Sequence, residues 1–221
     1  MKKIFFSLIV ASMVILPQQV VAQGLKTSGS SAVDIVPAGW ESIFKTGDLN
    51  KDGIADLVII ATPCKEENMT TRDDGYVYNF NQPILAIYWG EKNGNFKLFK
   101  QYDNVIPVRP DEFMSIDPSL EIAKNGSLRI ILEYFASAGS WTQPTSTHVF
   151  SYRNGDFFLI GKDVVELERT TGKTVSTSEN YLTHKRIVTT DRPNRKPTVK
   201  NTRLPKSALK PLGFNLDESD E

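Results

Sequence analysis

Short runs of β-branched and aromatic residues, separated by Asn-Gly dipeptides, constrain the fold of this chain more than any other feature of its sequence. Such residues favour strands, and Asn-Gly supplies the positive φ angles that tight hairpin turns require. No long segment keeps a helical period of about 3.6 residues. The sequence therefore predicts an all-β, antiparallel fold. The expected strands are DLVIIA at 56–61, ILAIYW at 84–89, FKLFKQY at 96–102, LRIILEYFA at 128–136, THVFSYR at 147–153 and FFLIGKDVVEL at 157–167.

Two parts of the sequence are related to each other. KNGNFKLFK at 92–100 aligns with RNGDFFLIG at 153–161, and DGIADLVIIA from Asp52 aligns loosely with NGSLRIILEY from Asn125. Each unit predicts a meander of about four strands, in the order strand, turn, strand, insert, strand, Asn-Gly hairpin, strand.

Two such meanders can bury their apolar faces against each other. We expect one β domain over 34–212, with units at about 34–110 and 111–170 and further C-terminal strands at 171–212. The units are expected to pack as a sandwich or as an incomplete propeller-like assembly.

The first 22 residues have the pattern of a secretory signal peptide. Lys2 and Lys3 precede an apolar run from Ile4 to Leu16, and compact residues lead to a cleavage site after Ala22. As a helix the run would be about 20 Å long, short of a hydrocarbon core of about 30 Å. We therefore expect export to the periplasm or the medium.

Composition excludes a general attraction to nucleic acid or anionic lipid. Cleavage removes two lysines and leaves 24 basic against 26 acidic residues, a net charge of −2.

Residues 23–33 are rich in Ser and Gly and predict a flexible lead-in, and residues 213–221 predict an acidic tail. Between His184 and Lys210 there are nine Lys or Arg against one Asp. That stretch is either a patch for an anionic partner or an edge hairpin whose charges prevent strand pairing.

The segment GDLNKDGIADLVI at 47–59 places oxygen-bearing side chains at alternating positions before a strand. A calcium loop needs side-chain oxygens at its first, third, fifth and ninth positions, a Gly at the sixth and a carbonyl at the seventh. An EF-hand also needs Glu at position 12, where this chain has Ile59, so a helix–loop–helix site is excluded. The alternative is an Asp-rich turn without metal. The candidate ligands are Asp48, Asn50, Asp52, Ile54 through its carbonyl, and Asp56.

This segment resembles the calcium loop of FG-GAP (integrin α-type, VCBS-like) repeats, and YWGEKNGNF at 88–96 is similar to the next hairpin of such a blade. The resemblance implies one structural Ca²⁺ held by these residues. In the second unit the aligned positions are Glu121, Ala123, Asn125 and Arg129, so the ligand set is lost there. One metal ion per chain is therefore expected.

The inserts of the two units, at 62–82 and 136–147, are expected to project from one end of the fold. Trp141, with Tyr76 and Tyr78, would offer a stacking surface for a protein or sugar, or Trp141 would instead pack onto its own sheet. No catalytic, phosphate-binding or dinucleotide motif is present. The sequence favours a binding or scaffolding module for a protein or cell-envelope component, and the alternative is a divergent secreted hydrolase or a hydrolase accessory protein.

Overall fold

Two antiparallel sheets pack face to face in the computed structural model of the protein, which describes residues 24–218. The expected signal peptide, 1–22, lies outside the described residues. Within 24–218 no helix has the length and apolar character needed to cross a membrane. The described elements are β1 (Ser28–Gly29), α1 (Ala32–Ile35), β2 (Glu41–Gly47), β3 (Asp56–Thr62), a 3₁₀ turn (Glu66–Asn68), β4 (Met69–Thr71), β5 (Val77–Asn79), β6 (Ile84–Gly90), β7 (Phe96–Tyr102), β8 (Met114–Ile122), β9 (Leu128–Ala136), β10 (Thr142–Arg153), β11 (Asp156–Glu168), β12 (Lys173–Asn180), β13 (Lys185–Asp191) and β14 (Thr198–Arg203).

The first sheet has the order β1-β7-β6-β3-β2, and the second has the order β14-β13-β12-β11-β10-β9-β8. A separate hairpin, β4-β5, forms most of the first insert. The all-β antiparallel fold is confirmed, and its arrangement is a sandwich. The second insert is shorter than expected, because Thr142–Thr147 pair with β11 and belong to β10, which leaves 137–141 as the connecting loop.

The two meanders share one strand order. The chain segments β2-β3-β6-β7 and β8-β9-β10-β11 each form four consecutive neighbours, and in both the insert follows the second strand. Each final hairpin also carries a β-bulge, which leaves Phe99 without a pairing partner in β6 and Ile160 without one in β10. These two residues occupy the same position in the aligned segments 92–100 and 153–161. A bulge increases local strand twist, so both hairpins bend at equivalent points.

One hydrophobic core joins the two sheets. The first sheet contributes inward residues such as Ile60 and Ile87, and the second contributes Ile130, Leu132 and Phe150, all nearly inaccessible to solvent. The side chains alternate in and out along each strand, so each sheet presents one apolar face to the other. Burial of these faces is the main favourable contribution to folding, at about 25 cal/mol per Å² of apolar surface.

An ion pair also connects the sheets. The Lys100 ammonium on β7 lies 2.7 Å from the Asp156 carboxylate at the start of β11. Burial alone would raise the pKa of Asp156, but Lys100, the Phe157 N–H and the Tyr102 hydroxyl together hold that pKa below its ordinary value. The ionised form of Asp156 is therefore favoured in the folded chain.

The N-terminal segment, residues 24–36, covers the outer face of the first sheet and includes the described part of the expected lead-in at 23–33. Ala32 and Ile35 are buried in a second core with Leu57 and Tyr88. The Tyr88 hydroxyl donates to the carbonyl of Lys26 at 2.9 Å. Outward residues of the central strands β3 and β6 are apolar, so that face also needs a cover, and this segment supplies it.

The C-terminal segment returns across the sandwich after β14. Leu212 donates its N–H to the Phe157 carbonyl, and Leu216 donates to the Val105 carbonyl. Leu212 and Leu216 are both buried in the inter-sheet core. The described part of the expected acidic tail, up to Glu218, is thus anchored by Leu216.

Candidate functional site

The loop at residues 48–55, called the acidic loop below, connects β2 to β3 at the point where the two meanders meet. Lys51 and Gly53 both have positive φ angles, 66° and 84°, which curl the loop back on itself. Glycine adopts such an angle without steric cost, and Gly53 stands where the sharp turn was expected.

Asp48 organises this loop through its side chain. One carboxylate oxygen accepts from the N–H of Lys51 at 2.7 Å and of Asp52 at 3.2 Å, and the other accepts from Gly53 at 3.0 Å. Asn50 and Asp52 also accept backbone N–H groups two residues ahead of them. The loop is therefore closed by its own side-chain to backbone bonds, as Asx-type turns are.

Asp56 is fully buried at the start of β3. Its oxygens accept from the N–H of Leu49 at 2.8 Å and from the N–H of Gly90 at 3.0 Å. Burial raises the pKa of the Asp56 carboxyl, the bonds from Gly90 and Leu49 oppose the rise, and the negative charge of Asp52 adds to it.

The equivalent turn of the second meander carries its own cation. Arg129 lies 3.6 Å from Glu121, so the two residues aligned with the first and ninth loop positions form an ion pair. The two turns also touch, because a methyl group on Gly126 would come within 3.0 Å of the Asp48 carbonyl oxygen. The ninth position thus holds the cation of Arg129 in the second meander and the carboxylate of Asp56 in the first.

The donor set of the acidic loop fits a calcium ion in its chemistry. Asp48, Asn50, Asp52 and Asp56 offer hard oxygen ligands, the type that Ca²⁺ prefers. In the described part of the chain, no three His, Cys, Asp or Glu side chains are already arranged around a common centre. Binding would therefore require the side chains of this loop to converge.

The first insert presents an aromatic pair. Tyr76 is 58% exposed, whereas Tyr78 is only 5% exposed and lies beneath it, with ring centroids 4.8 Å apart in an edge arrangement. The Arg109 guanidinium lies over the ring of Tyr78, 4.5 Å from its centroid, and Arg72 donates to the Tyr78 hydroxyl at 3.0 Å. Tyr78 is thus a support for Tyr76 and is not itself a surface for stacking.

The second insert exposes Trp141, which is 72% accessible to solvent and does not pack onto its sheet. Arg169 anchors its loop through three hydrogen bonds. The Arg169 guanidinium donates to the carbonyls of Ala136 and Ser140, and the Arg169 backbone N–H donates to the carbonyl of Trp141. The same guanidinium lies over the ring of Phe135, 5.6 Å from its centroid.

The segment 107–114 links the two inserts. Arg109 contacts Tyr78 and donates to the carbonyl of Met114, and the Phe113 carbonyl accepts from the N–H of Ser137 at 2.8 Å. Phe113 is itself mostly exposed. The two inserts are therefore connected to each other at one end of the sandwich through the contacts of segment 107–114.

Sequence reasoning missed the residues that hold this end together. Arg109 and Arg169 lie far along the chain from the tyrosines and the tryptophan they support, and a lone arginine in a loop carries no pattern. Cation–π contacts of this kind depend on tertiary proximity alone.

Comparison with protein-family models, with curated proteins and with solved structures finds no match to this chain.

Proposed function

We propose that this protein is an exported binding or scaffolding module for a protein or cell-envelope component. Its contact surface is the end of the sandwich that carries the two inserts, called the insert end below. The observation that carries the proposal is the exposure of Trp141 and Tyr76 on loops that arginines hold in place. Large exposed aromatic side chains supply contact area, and rigid loops lose little conformational entropy on binding.

We also propose one structural Ca²⁺ in the acidic loop, held by Asp48, Asn50, Asp52, Asp56 and the carbonyl of Ile54, as the resemblance to FG-GAP repeats implies. The buried Asp56 carboxylate, which accepts hydrogen bonds from the backbone N–H groups of Leu49 and Gly90, supports this proposal. When bound, the ion would supply positive charge to these carboxylates and stiffen the β2–β3 junction. Its role is stabilising rather than catalytic.

The binding role is tested by retention on cell-envelope material. The protein and the double variant Trp141→Ala/Tyr76→Ala are passed over immobilised envelope fractions from cells that produce it. One portion is treated with protease and another with a wall-degrading glycosidase, which separates protein partners from glycan partners. We expect retention of the native protein to fall by roughly tenfold or more in the double variant, since buried aromatic anchors commonly contribute 2 kcal/mol or more each.

A matched control removes two exposed apolar side chains elsewhere, Leu182→Ala/Val199→Ala, which are 42% and 60% exposed. This variant should be retained like the native protein. Equal retention of both double variants would overturn the proposed contact surface.

A further inference from the structure

Strands β2 and β8 are edge strands of opposite sheets, and they enclose a cleft. They meet where a methyl group on Gly47 would come within 2.7 Å of the Ile122 Cγ2 atom. From there they diverge toward their N-terminal ends, where a cavity of about 420 Å³ lies between Glu41–Ile43 and Ser115–Pro118. Tyr76 and Val77 of the first insert border the same cavity.

The backbone of β2 is paired on one side only. Its seven residues pair with β3, and no other backbone hydrogen bond of Glu41–Thr46 occurs among residues 24–218. In an antiparallel strand, alternate N–H and C=O groups point away from the partner. The groups on the outer edge of β2 can be matched by another extended backbone, by side chains or by water.

The other sheet edges are protected against such pairing. β1 is two residues long, β8 contains Pro118, and β14 carries Lys200 and Arg203. Short strands, prolines and basic side chains are the usual devices that blunt an edge. The part of β2 that lines the cleft, Glu41–Ile43, contains no proline and no basic side chain, and Lys45 lies beyond it toward the narrow end.

The lining of the cleft indicates which peptide it suits. Ile43, Val77 and Ile116 provide an accessible apolar floor, above the buried Ile60 and Ile106. Glu41 and Asp117 are the lining carboxylates. The lining cation, Arg109, is stacked on Tyr78 and donates to the carbonyls of Asp111 and Met114, so the charge open to a ligand is negative.

We propose that this cleft binds an extended polypeptide segment that adds a strand to the β2 edge. An apolar side chain of the segment would contact the floor, and a Lys or Arg would lie near Glu41 and Asp117. Strand addition draws affinity from main-chain bonds and specificity from alternate side-chain pockets. The inference rests on the proposed binding function and specifies its partner as a protein.

The probe for this site is a phage-displayed library of random linear dodecapeptides, selected on the full chain. Enriched peptides should alternate apolar residues with Lys or Arg. Their affinity should fall about tenfold in Glu41→Lys/Asp117→Lys. It should hold in the control Glu91→Lys/Asp191→Lys, which changes the net charge equally at exposed sites that do not line the cleft.

A second measurement tests main-chain pairing. The best peptide is resynthesised with N-methyl groups at odd or at even positions. Methylation of one set should weaken binding by about tenfold or more, and methylation of the other set should leave it within about threefold, because alternate N–H groups face the strand.

Three results would overturn the inference: no enrichment over a surface without protein, equal binding to the cleft variant, or equal tolerance of both methylated peptides. If one of these occurs while Trp141→Ala/Tyr76→Ala still loses envelope retention, the proposed function stands and only the cleft assignment fails. Thermal melts of each variant confirm that it is folded.

Discussion

Removing one carboxylate from the acidic loop should abolish stabilisation by calcium. Asp52 is exposed, and its side chain accepts from Ile54 N–H and Asn50 Nδ2, bonds worth about 1 kcal/mol or less at an exposed site. Its negative charge also raises the pKa of Asp56, so its loss relieves some repulsion. In chelator, Asp52→Ala should therefore melt within a few degrees of the native protein, as a change of about 1 kcal/mol allows.

The native protein should respond strongly to calcium. A ligand that binds only the folded state stabilises it by about 2.7 kcal/mol at one hundred times its Kd. For a chain of this size, each kcal/mol moves Tm by about 2–4 °C, so the expected rise is about 5–10 °C. Differential scanning calorimetry with millimolar Ca²⁺ or with chelator measures this difference.

The matched control is Glu121→Ala, which changes the aligned position in the second meander. This variant loses an exposed ion pair with Arg129 and should keep the full calcium shift. A native Tm that is unchanged at millimolar Ca²⁺ would refute the calcium site, and so would an undiminished shift in Asp52→Ala.

The pH dependence of the calcium effect provides a second check on Asp56. Because the pKa of Asp56 is raised on folding, the folded chain holds this proton more tightly than the unfolded chain does. Without calcium, the stability from protonated Asp56 is present below the ordinary carboxyl value of 3.8 and is lost as pH rises through the raised pKa. Calcium binding needs the ionised form of Asp56, so the calcium-induced Tm shift should grow as pH rises from 3.8 through the raised pKa. A shift of equal size at about pH 4 and at about pH 7 would argue against Asp56 as a ligand.

Three further variants test the packing around the site. Arg169→Ala should leave Tm within about 2 °C but speed amide hydrogen exchange in the Trp141 loop, and unchanged exchange there would show that the arginine does not hold it. Asp156→Asn should lower the free energy of unfolding by about 1 kcal/mol near neutral pH, since its partner Lys100 is 40% exposed. This difference should vanish as the pH falls through the depressed pKa of Asp156. A difference that does not depend on pH would contradict the ion pair. Ile130→Ala should lower the free energy of unfolding by about 2–5 kcal/mol and leave a single cooperative unfolding transition. Two separate transitions would show that the sheets do not share a core.

The strands predicted from sequence were the central ones. β3, β6 and β9 are buried on at least one face, and their sequences are apolar runs, which Arg129 and Glu133 interrupt in β9. β2 and β8 were expected only as the first strand of each meander, without bounds, because they are edge strands: β2 is mostly exposed, and β8 mixes polar with apolar residues and contains Pro118. Pairing with a neighbour, which sequence does not display, is what makes those segments strands.

The N-terminal segment shows a different limit of sequence reasoning. Its Ser and Gly content indicates flexibility, yet Ile35 and the Lys26 carbonyl find partners on the outer face of the first sheet. These long-range contacts cannot be read from the local composition. The acidic loop could be predicted because its residues are contiguous, whereas the supports of Trp141 and Tyr76 come from distant loops.

The most direct test of the proposed binding role places a photo-crosslinking amino acid at Trp141, at Tyr76 or at Leu182, followed by irradiation in the presence of envelope material. Leu182 lies in the exposed turn after β12 and serves as the reference position. We predict the same crosslinked product from positions 141 and 76 and none from 182. Products of equal yield from all three positions, or none from 141 and 76, would contradict a binding role for the insert end.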